Sequence, residues 1–192
     1  MAKLYYCYSS MNAGKSTTLL QVAHNYGEQK MDTYLLTAAL DDRSGETGKI
    51  ASRIGISKDA ATYQADTNLY EKLSDEIGDN VAAVLIDEAQ WLSEEQVWQL
   101  ARFVDNKRLP VMCYGIRTDF QGKLFPGSQA LLAIADELRE IRTICHCGRK
   151  ATMVLRLDEN GEVIKDGPQN QVGGNESYKS VCRRHWSEAF EN

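Results

Sequence analysis

Short apolar runs alternate along the chain with stretches of helical periodicity. Leu4 to Tyr8, Thr33 to Thr37, Val81 to Ile86 and Pro110 to Gly115 are rich in aliphatic, β-branched and aromatic residues, and each reads as a buried strand. Residues 15 to 29 place Leu19, Val22, Ala23 and Tyr26 at helical spacing. Ser93-Glu94-Glu95-Gln96 has the spacing of a capping box that opens a helix running through Phe103. Short strands separated by crossovers of this length pair in parallel. The predicted architecture is therefore α/β with a parallel sheet.

After Leu138-Arg139-Glu140-Ile141 the texture changes. Met153 to Leu157 alternates, Asp158-Glu159-Asn160-Gly161 reads as a turn, and Glu162-Val163-Ile164 returns, which predicts a β-hairpin. The stretch Asp166 to Ser177, DGPQNQVGGNES, is polar and glycine-rich and reads as a long loop. The chain is accordingly expected to divide into a main unit over residues 1–143 and a small C-terminal unit over 144–192, with no internal repeat.

Composition narrows the partners. At 192 residues, with a formal charge of −5 and a pI near 5.3, the chain is large enough for a real core but is not basic as a whole. Small-molecule chemistry fits better than a nucleic-acid surface. No stretch approaches the roughly 20 apolar residues of a membrane span and no apolar leader opens the sequence, so a cytoplasmic protein is expected.

The first strand runs into Ser9-Ser10-Met11-Asn12-Ala13-Gly14-Lys15-Ser16-Thr17 and then into a helix. That is the context of a phosphate-binding loop. Backbone amides and the helix N-terminus face an anion, Gly14 permits close approach, Lys15 reaches the outer phosphates and Ser16 can ligate magnesium. Ser9 stands where the usual G-x-x-x-x-G-K-[ST] pattern has glycine. Serine fits there if the turn needs no positive φ. A second apolar strand, VAAVLI, ends in Asp87-Glu88, where an α/β nucleotide-binding fold presents an acid to the magnesium shell. Asp87 is read as the metal-side acid and Glu88 as the acceptor of a proton from the attacking oxygen, with Gln90 near the phosphates.

Five cysteines divide into two classes. Cys7 and Cys113 sit inside strand-like runs, whereas Cys145-His146-Cys147 and Cys182-Arg183-Arg184-His185 form two short knuckles. Three thiolates and one imidazole complete a tetrahedral, structural zinc set from Cys145, Cys147, Cys182 and His185. His146, between two ligands, is a rival donor. A metal here would staple the ends of a small lobe that has little core of its own.

The combination of SSMNAGKST, DEAQ, YGIRTDFQGKLF and NESYKSVCRRH resembles the zinc-containing, RecA-like (type II) thymidine kinases, and the resemblance covers essentially the whole chain. It implies a P-loop fold with a zinc-held lasso loop. The implied reaction is ATP-dependent phosphorylation of the 5′-hydroxyl of thymidine or deoxyuridine with Mg2+, with Glu88 as base. Residues 9 to 16, Thr17 and residues 87 to 90 would hold the phosphates. Met11, Phe120, Phe125, Tyr178 and the stretch Gln169, Asn170, Gln171, Val172 and Gly173 would surround the nucleoside. Asp41 and Arg43 would lie near the phosphates, and Arg53 more loosely so. A homotetramer or dimer and feedback by dTTP are further implications. The chain departs from the family pattern in having Ser9-Ser10-Met11 where Gly-Pro-Met is frequent, and His185 where a fourth cysteine is frequent.

Two other readings compete: a P-loop ATPase such as a RecA-like motor, and a zinc-ribbon binding module with a vestigial nucleotide site. A motor on nucleic acid needs a basic stripe, and the lysines and arginines here are scattered. A binding module has no use for Glu88 beside Asp87. Trp91, Trp98 and Trp186 are read as packing residues.

Overall fold

The structure, a computed structural model, describes residues 1–40, 48–169 and 177–191. In chain order, β1 (Leu4–Ser9) leads through a loop into α1 (Lys15–Glu28) and β2 (Asp32–Ala38). Three short strands follow, β3 (Lys49–Ala51), β4 (Ser57–Asp59) and β5 (Ala61–Tyr63), then α2 (Leu69–Glu76) and β6 (Val81–Ile86). A 3₁₀ turn (Ala89–Trp91), α3 (Glu94–Lys107), β7 (Val111–Ile116), α4 (Pro126–Ile134) and β8 (Glu137–Glu140) complete the main sheet. The C-terminal part holds β9 (Thr143–Ile144), β10 (Lys150–Ala151), β11 (Met153–Arg156), β12 (Tyr178–Val181) and α5 (Arg183–Glu191).

The expected parallel sheet is present, with six strands in the order β5-β2-β6-β7-β1-β8 and every pairing parallel. Helices supply the crossovers and cover both faces, as an all-parallel sheet requires. On one face α1 buries Leu19, Leu20 and Ala23 against Leu35, Leu85 and Tyr114. On the other, Leu69 and Leu73 of α2, Val97, Leu100 and Phe103 of α3, and Leu131 of α4 pack on Tyr6, Leu36, Val84 and Ile86. Strand β7 lies between β1 and β6. The loop after β1 and the acids after β6 therefore open onto one edge of the sheet with a single strand between them.

The expected helix starts are in place. Ser93 accepts from the Gln96 amide and the Gln96 side chain accepts from the Ser93 amide, closing the capping box. Helix α3 runs one turn past Phe103, to Lys107, because Val104 is still buried; Arg108 in the left-handed region then ends it ahead of Pro110. Sequence periodicity did not reveal α2, α4 or the edge strand β8. Strand β8 carries Glu137, Arg139 and Glu140, and its Glu137 takes ion pairs from Lys3 and Arg139, so it has the polar texture of a solvent-facing edge.

The expected hairpin is present in short form. Strand β11 pairs antiparallel with β12 along its whole length, from Met153↔Val181 to Arg156↔Tyr178, and the predicted return arm meets only its end. The Ile164 amide donates to the Arg156 carbonyl at 2.8 Å, Leu157 bridges Val163 antiparallel, and in the tight turn between the arms the Asp158 carboxylate accepts the amides of Asn160 and Glu162. The apolar side chains of β11 bury beside Val181, and Leu157 and Val163 of the hairpin pack against the same cluster. A separate small core forms there from Ala151, Leu155, Val181 and the two buried cysteines Cys145 and Cys182, with Trp186 and Phe190 against it. The expectation for Trp98 is corrected, since it is half-exposed on α3 rather than packed. Among the described residues no helix is long and apolar enough to cross a membrane.

Candidate active site

The loop between β1 and α1 turns through Asn12 and Gly14, both in the left-handed region. Gly14, at φ 81° and ψ 28°, is the N-cap of α1, and only glycine takes that conformation without strain. No side chain caps the helix, and an uncapped helix start is where an anion takes the cap's place. Ser9 is not at positive φ, which is why serine is tolerated at this position. Its hydroxyl has a further use. It donates to the Ser10 carbonyl at 2.7 Å and accepts from Lys15 Nζ at 3.2 Å, while Lys15 also donates to the Ser10 carbonyl at 3.1 Å. The lysine is thus drawn back over the loop, buried to 8 % exposure. Thr17 shares a 2.6 Å hydrogen bond with Ser52, in the turn after β3 that also carries Arg53.

Across the sheet edge, Asp87 is 2 % exposed and its amide donates to the Leu36 carbonyl, extending the β2–β6 ladder. Glu88 follows in the left-handed region at φ 53°, an uncommon state for a residue with a side chain and one that gathers at functional sites. Its carbonyl is held there by the Trp91 amide at 3.1 Å and the Tyr63 hydroxyl at 3.4 Å. Its carboxylate accepts a short hydrogen bond from the Gln90 side-chain amide, whose oxygen accepts the Ile116 amide at 3.1 Å. The structure thus brings Ser9 to Thr17 and Asp87 to Gln90 to one edge of the sheet.

The four metal candidates converge. Cys145, Cys147, Cys182 and His185 offer ligand atoms that all lie within 4.8 Å of one another. A tetrahedral zinc with ordinary bond lengths separates two sulfurs by about 3.8 Å and a sulfur from a nitrogen by about 3.5 Å. Here Cys147 and Cys182 sulfurs are 3.9 Å apart, and His185 Nδ1 is 3.3 Å from Cys145 and 3.5 Å from Cys182. The set fits zinc, and all five cysteines are free of disulfides. His146, the rival, stacks on the His185 ring at 4.2 Å and stands outside the four. Burial pushes the Cys145 thiol up, yet the amides of Cys147 and Cys182 and the His185 ring outweigh it and bring it down to about 5, which favours the thiolate a metal needs.

Of the nucleoside-side candidates, Phe120 and Phe125 are buried, Phe125 packing edge-on against Trp91 at 5.4 Å. Tyr178 is half-buried on β12, and burial raises its hydroxyl above the ordinary range. Gln169 donates to Asp119 Oδ2 at 2.9 Å and to the Leu124 carbonyl at 3.3 Å, so its side chain anchors chain to chain. Asp41, Arg43, Asn170, Gln171, Val172 and Gly173 lie outside the described residues.

With that geometry in view, the comparisons decide the family. A family model described as thymidine kinase matches residues 2–186. A thymidine kinase of Ruegeria pomeroyi is 61 % identical over 190 residues, 98 % of this chain and 96 % of that one. Those of Rhizobium meliloti and Haemophilus influenzae are 60 % and 58 % identical, each across 98 % of this chain and 97 % of their own length. The chain belongs to the thymidine kinase family.

Sequence reasoning missed several residues that shape the site of this kinase. Gly127, on α4, passes so close to the 3₁₀ turn that a Cβ would stand 2.6 Å from the Ala89 carbonyl and 2.7 Å from that of Leu92. Gly115, on β7, leaves Gln90 the same kind of room at 3.0 Å. Gly115 lies within the quoted YGIRTDFQGKLF stretch, whereas Gly127 has no motif around it. Buried Asp119 accepts the amides of Gln121 and Lys123 besides Gln169, and buried Arg156 lies over the Phe120 ring and donates to the Pro168 carbonyl at 3.3 Å. Asp119 sits inside the quoted TDFQGKLF stretch, which was the available signal. Two bonds tie the phosphate loop to the C-terminal strands: Ser10 Oγ donates to the Ala151 carbonyl at 3.4 Å, and Ser180 Oγ donates to the Met11 carbonyl at 2.6 Å.

Proposed function

We propose that this chain transfers the γ-phosphoryl group of ATP to the 5′-hydroxyl of thymidine, and of deoxyuridine, with Glu88 as the general base. Ser9, Ser10, Met11, Asn12, Ala13, Gly14, Lys15, Ser16 and Thr17 cradle the phosphates, with Asp87 and Gln90 facing them from the end of β6. The observation that carries the reading is the placement of Glu88 and Gly14 on one sheet edge: a fixed, buried carboxylate opposite an uncapped helix start. Mg2+ held at Asp87 and Ser16 would neutralise charge on the phosphates, and the buried carboxylate at the strand end fits a cation that binds through one or two acids.

The steps fall to the chain's own groups. Lys15 Nζ, poised over the loop, offers positive charge to the outer phosphate oxygens. Gln90 orients the Glu88 carboxylate, leaving it to take the proton of the sugar hydroxyl as the oxygen attacks in line. Phe120, Phe125, Tyr178 and Met11 line the nucleoside side, and the stretch from Gln169 to Gly173 closes over the base and excludes water. A structural zinc on Cys145, Cys147, Cys182 and His185 holds the C-terminal unit, residues 144–192, against the P-loop unit, residues 1–143. Asp41 and Arg43 act near the phosphates.

We further assign a cytoplasmic homotetramer or dimer under feedback by dTTP, with no nucleic-acid or membrane partner; the family supports these. Identification of the product tests the reading: ATP, Mg2+ and thymidine together should yield thymidine 5′-monophosphate and ADP in equal amounts. Phosphate released from ATP with no nucleoside monophosphate formed would favour an ATPase instead.

A further inference from the structure

Thr37 is 1 % exposed, and its hydroxyl oxygen has no hydrogen-bond partner among the described residues. Buried hydroxyls are nearly always paired, because leaving one unpaired destabilises the fold. Thr37 stands at the end of β2, beside the sheet edge that carries the acids. Leu36 pairs with Ile86, and the Asp87 amide continues the ladder onto the Leu36 carbonyl, so the next position along both strands sets Thr37 next to Asp87 on one face. That face lies under α1, since Leu35 and Leu85, two residues earlier on each strand, belong to the cluster α1 covers. On its other side Thr37 pairs with Thr62 of β5. Because α1 follows β1 through the loop and runs back along the sheet, its first residues, Lys15 to Thr17, sit at this same edge. A polar, unsatisfied side chain thus stands beside Asp87, on the face under α1 and at the end of the sheet where the phosphate loop opens.

We propose that Thr37 is a positioning residue for the metal–nucleotide complex: its hydroxyl accepts a hydrogen bond from a water in the Mg2+ shell that Asp87 also holds. The assignment rests on the kinase reading above. Magnesium keeps several waters when protein carboxylates bind it, so outer-shell partners set its orientation. A threonine on the strand next to the acid is placed for that contact, and the price in the nucleotide-free protein is the unpaired hydroxyl.

Thr33 supplies an internal control. It lies on the same strand and the same face, four positions earlier and away from the site, and its hydroxyl is also buried and unpaired. Thr37→Val, Thr37→Ser and Thr33→Val in the full chain are compared by the Tm of nucleotide-free protein and by calorimetric ATP affinity in Mg2+ and in EDTA. Both valine variants should melt about 2 to 4 °C higher. Thr37→Val should weaken ATP binding by about three- to ten-fold in Mg2+ and leave it unchanged in EDTA. Thr37→Ser should restore the affinity, and Thr33→Val should alter neither affinity. Unchanged affinity of Thr37→Val in Mg2+, or an equal loss with and without the metal, would overturn the assignment. Wild-type protein that binds no ATP even with Mg2+ would instead overturn the kinase reading beneath it.

Discussion

The side-chain amide of Gln90 binds the Glu88 carboxylate with its nitrogen and the Ile116 amide with its oxygen, so one buried side chain locks the acid to the end of β7. Gly115 permits this, because a side chain there would collide with Gln90. Gln90→Leu removes both bonds while keeping the bulk. It leaves the Ile116 amide unsatisfied, a loss of about 1–3 kcal/mol in stability. It also frees Glu88 to turn. Turnover should fall about tenfold or more with thymidine affinity little changed, as steady-state rates and equilibrium binding will report.

Gly127 sets the distance between α4 and the turn that carries Glu88. Gly127→Ala places a methyl against three backbone carbonyls, those of Ala89, Gln90 and Leu92, none of which is a flexible chain end. The backbone has to shift, at a cost of about 1–3 kcal/mol. Denaturant unfolding should show that loss, and kcat should fall with it although Gly127 touches no substrate. A variant as stable and as active as wild type would mean the turn accommodates the methyl without moving Glu88.

Lys15→Ala should abolish phosphoryl transfer while the far-ultraviolet circular dichroism spectrum stays that of a folded protein. Ser9→Gly should keep the turn, since Ser9 needs no special φ, yet loosen the Lys15 ammonium by removing its acceptor at 3.2 Å. A modest rise in the KM for ATP, within about tenfold, is the expected outcome.

These sites differ in how far the sequence alone disclosed them. Strand β6 was legible residue for residue, because a central strand buried on both faces is a continuous apolar run. Strand β8 was not, since an edge facing water carries charges in place of that run. The Gly-Lys-Ser loop and the Asp87-Glu88 pair were legible because their chemistry depends on local spacing. The hold of Gln90 on Ile116 and the close passage of Gly127 join residues far apart in the chain, and no local pattern encodes them; the Ser9–Lys15 and Gln90–Glu88 bonds are near in sequence but depend on how the turns that carry them fold. The short hairpin around Asp158–Gly161 was legible from its turn chemistry, whereas the longer pairing of β11 with β12 joins it to the distant Val181 and was not.

Zinc removal should act on the C-terminal strands first. Cys182→Ser leaves an incomplete ligand set and should lose stoichiometric metal, which metal analysis checks directly. Hydrogen exchange should then quicken in β10 to β12 and in α5, while β6 and β7, buried in the main sheet, keep their protection. Because Ser180 and Ala151 bond the phosphate loop, ATP affinity should decline as well. Full protection of β12 in a zinc-free protein would contradict a structural role for the metal.

The most direct test of the account is Glu88→Gln, which keeps shape and hydrogen-bonding capacity but removes basicity. Turnover with saturating ATP and thymidine and the Kd for thymidine are measured on the same preparation. If Glu88 accepts the hydroxyl proton, kcat drops about 10²- to 10⁴-fold and the Kd stays within a few-fold of wild type. A variant that retains kcat within a few-fold would contradict the claim that this carboxylate is the base.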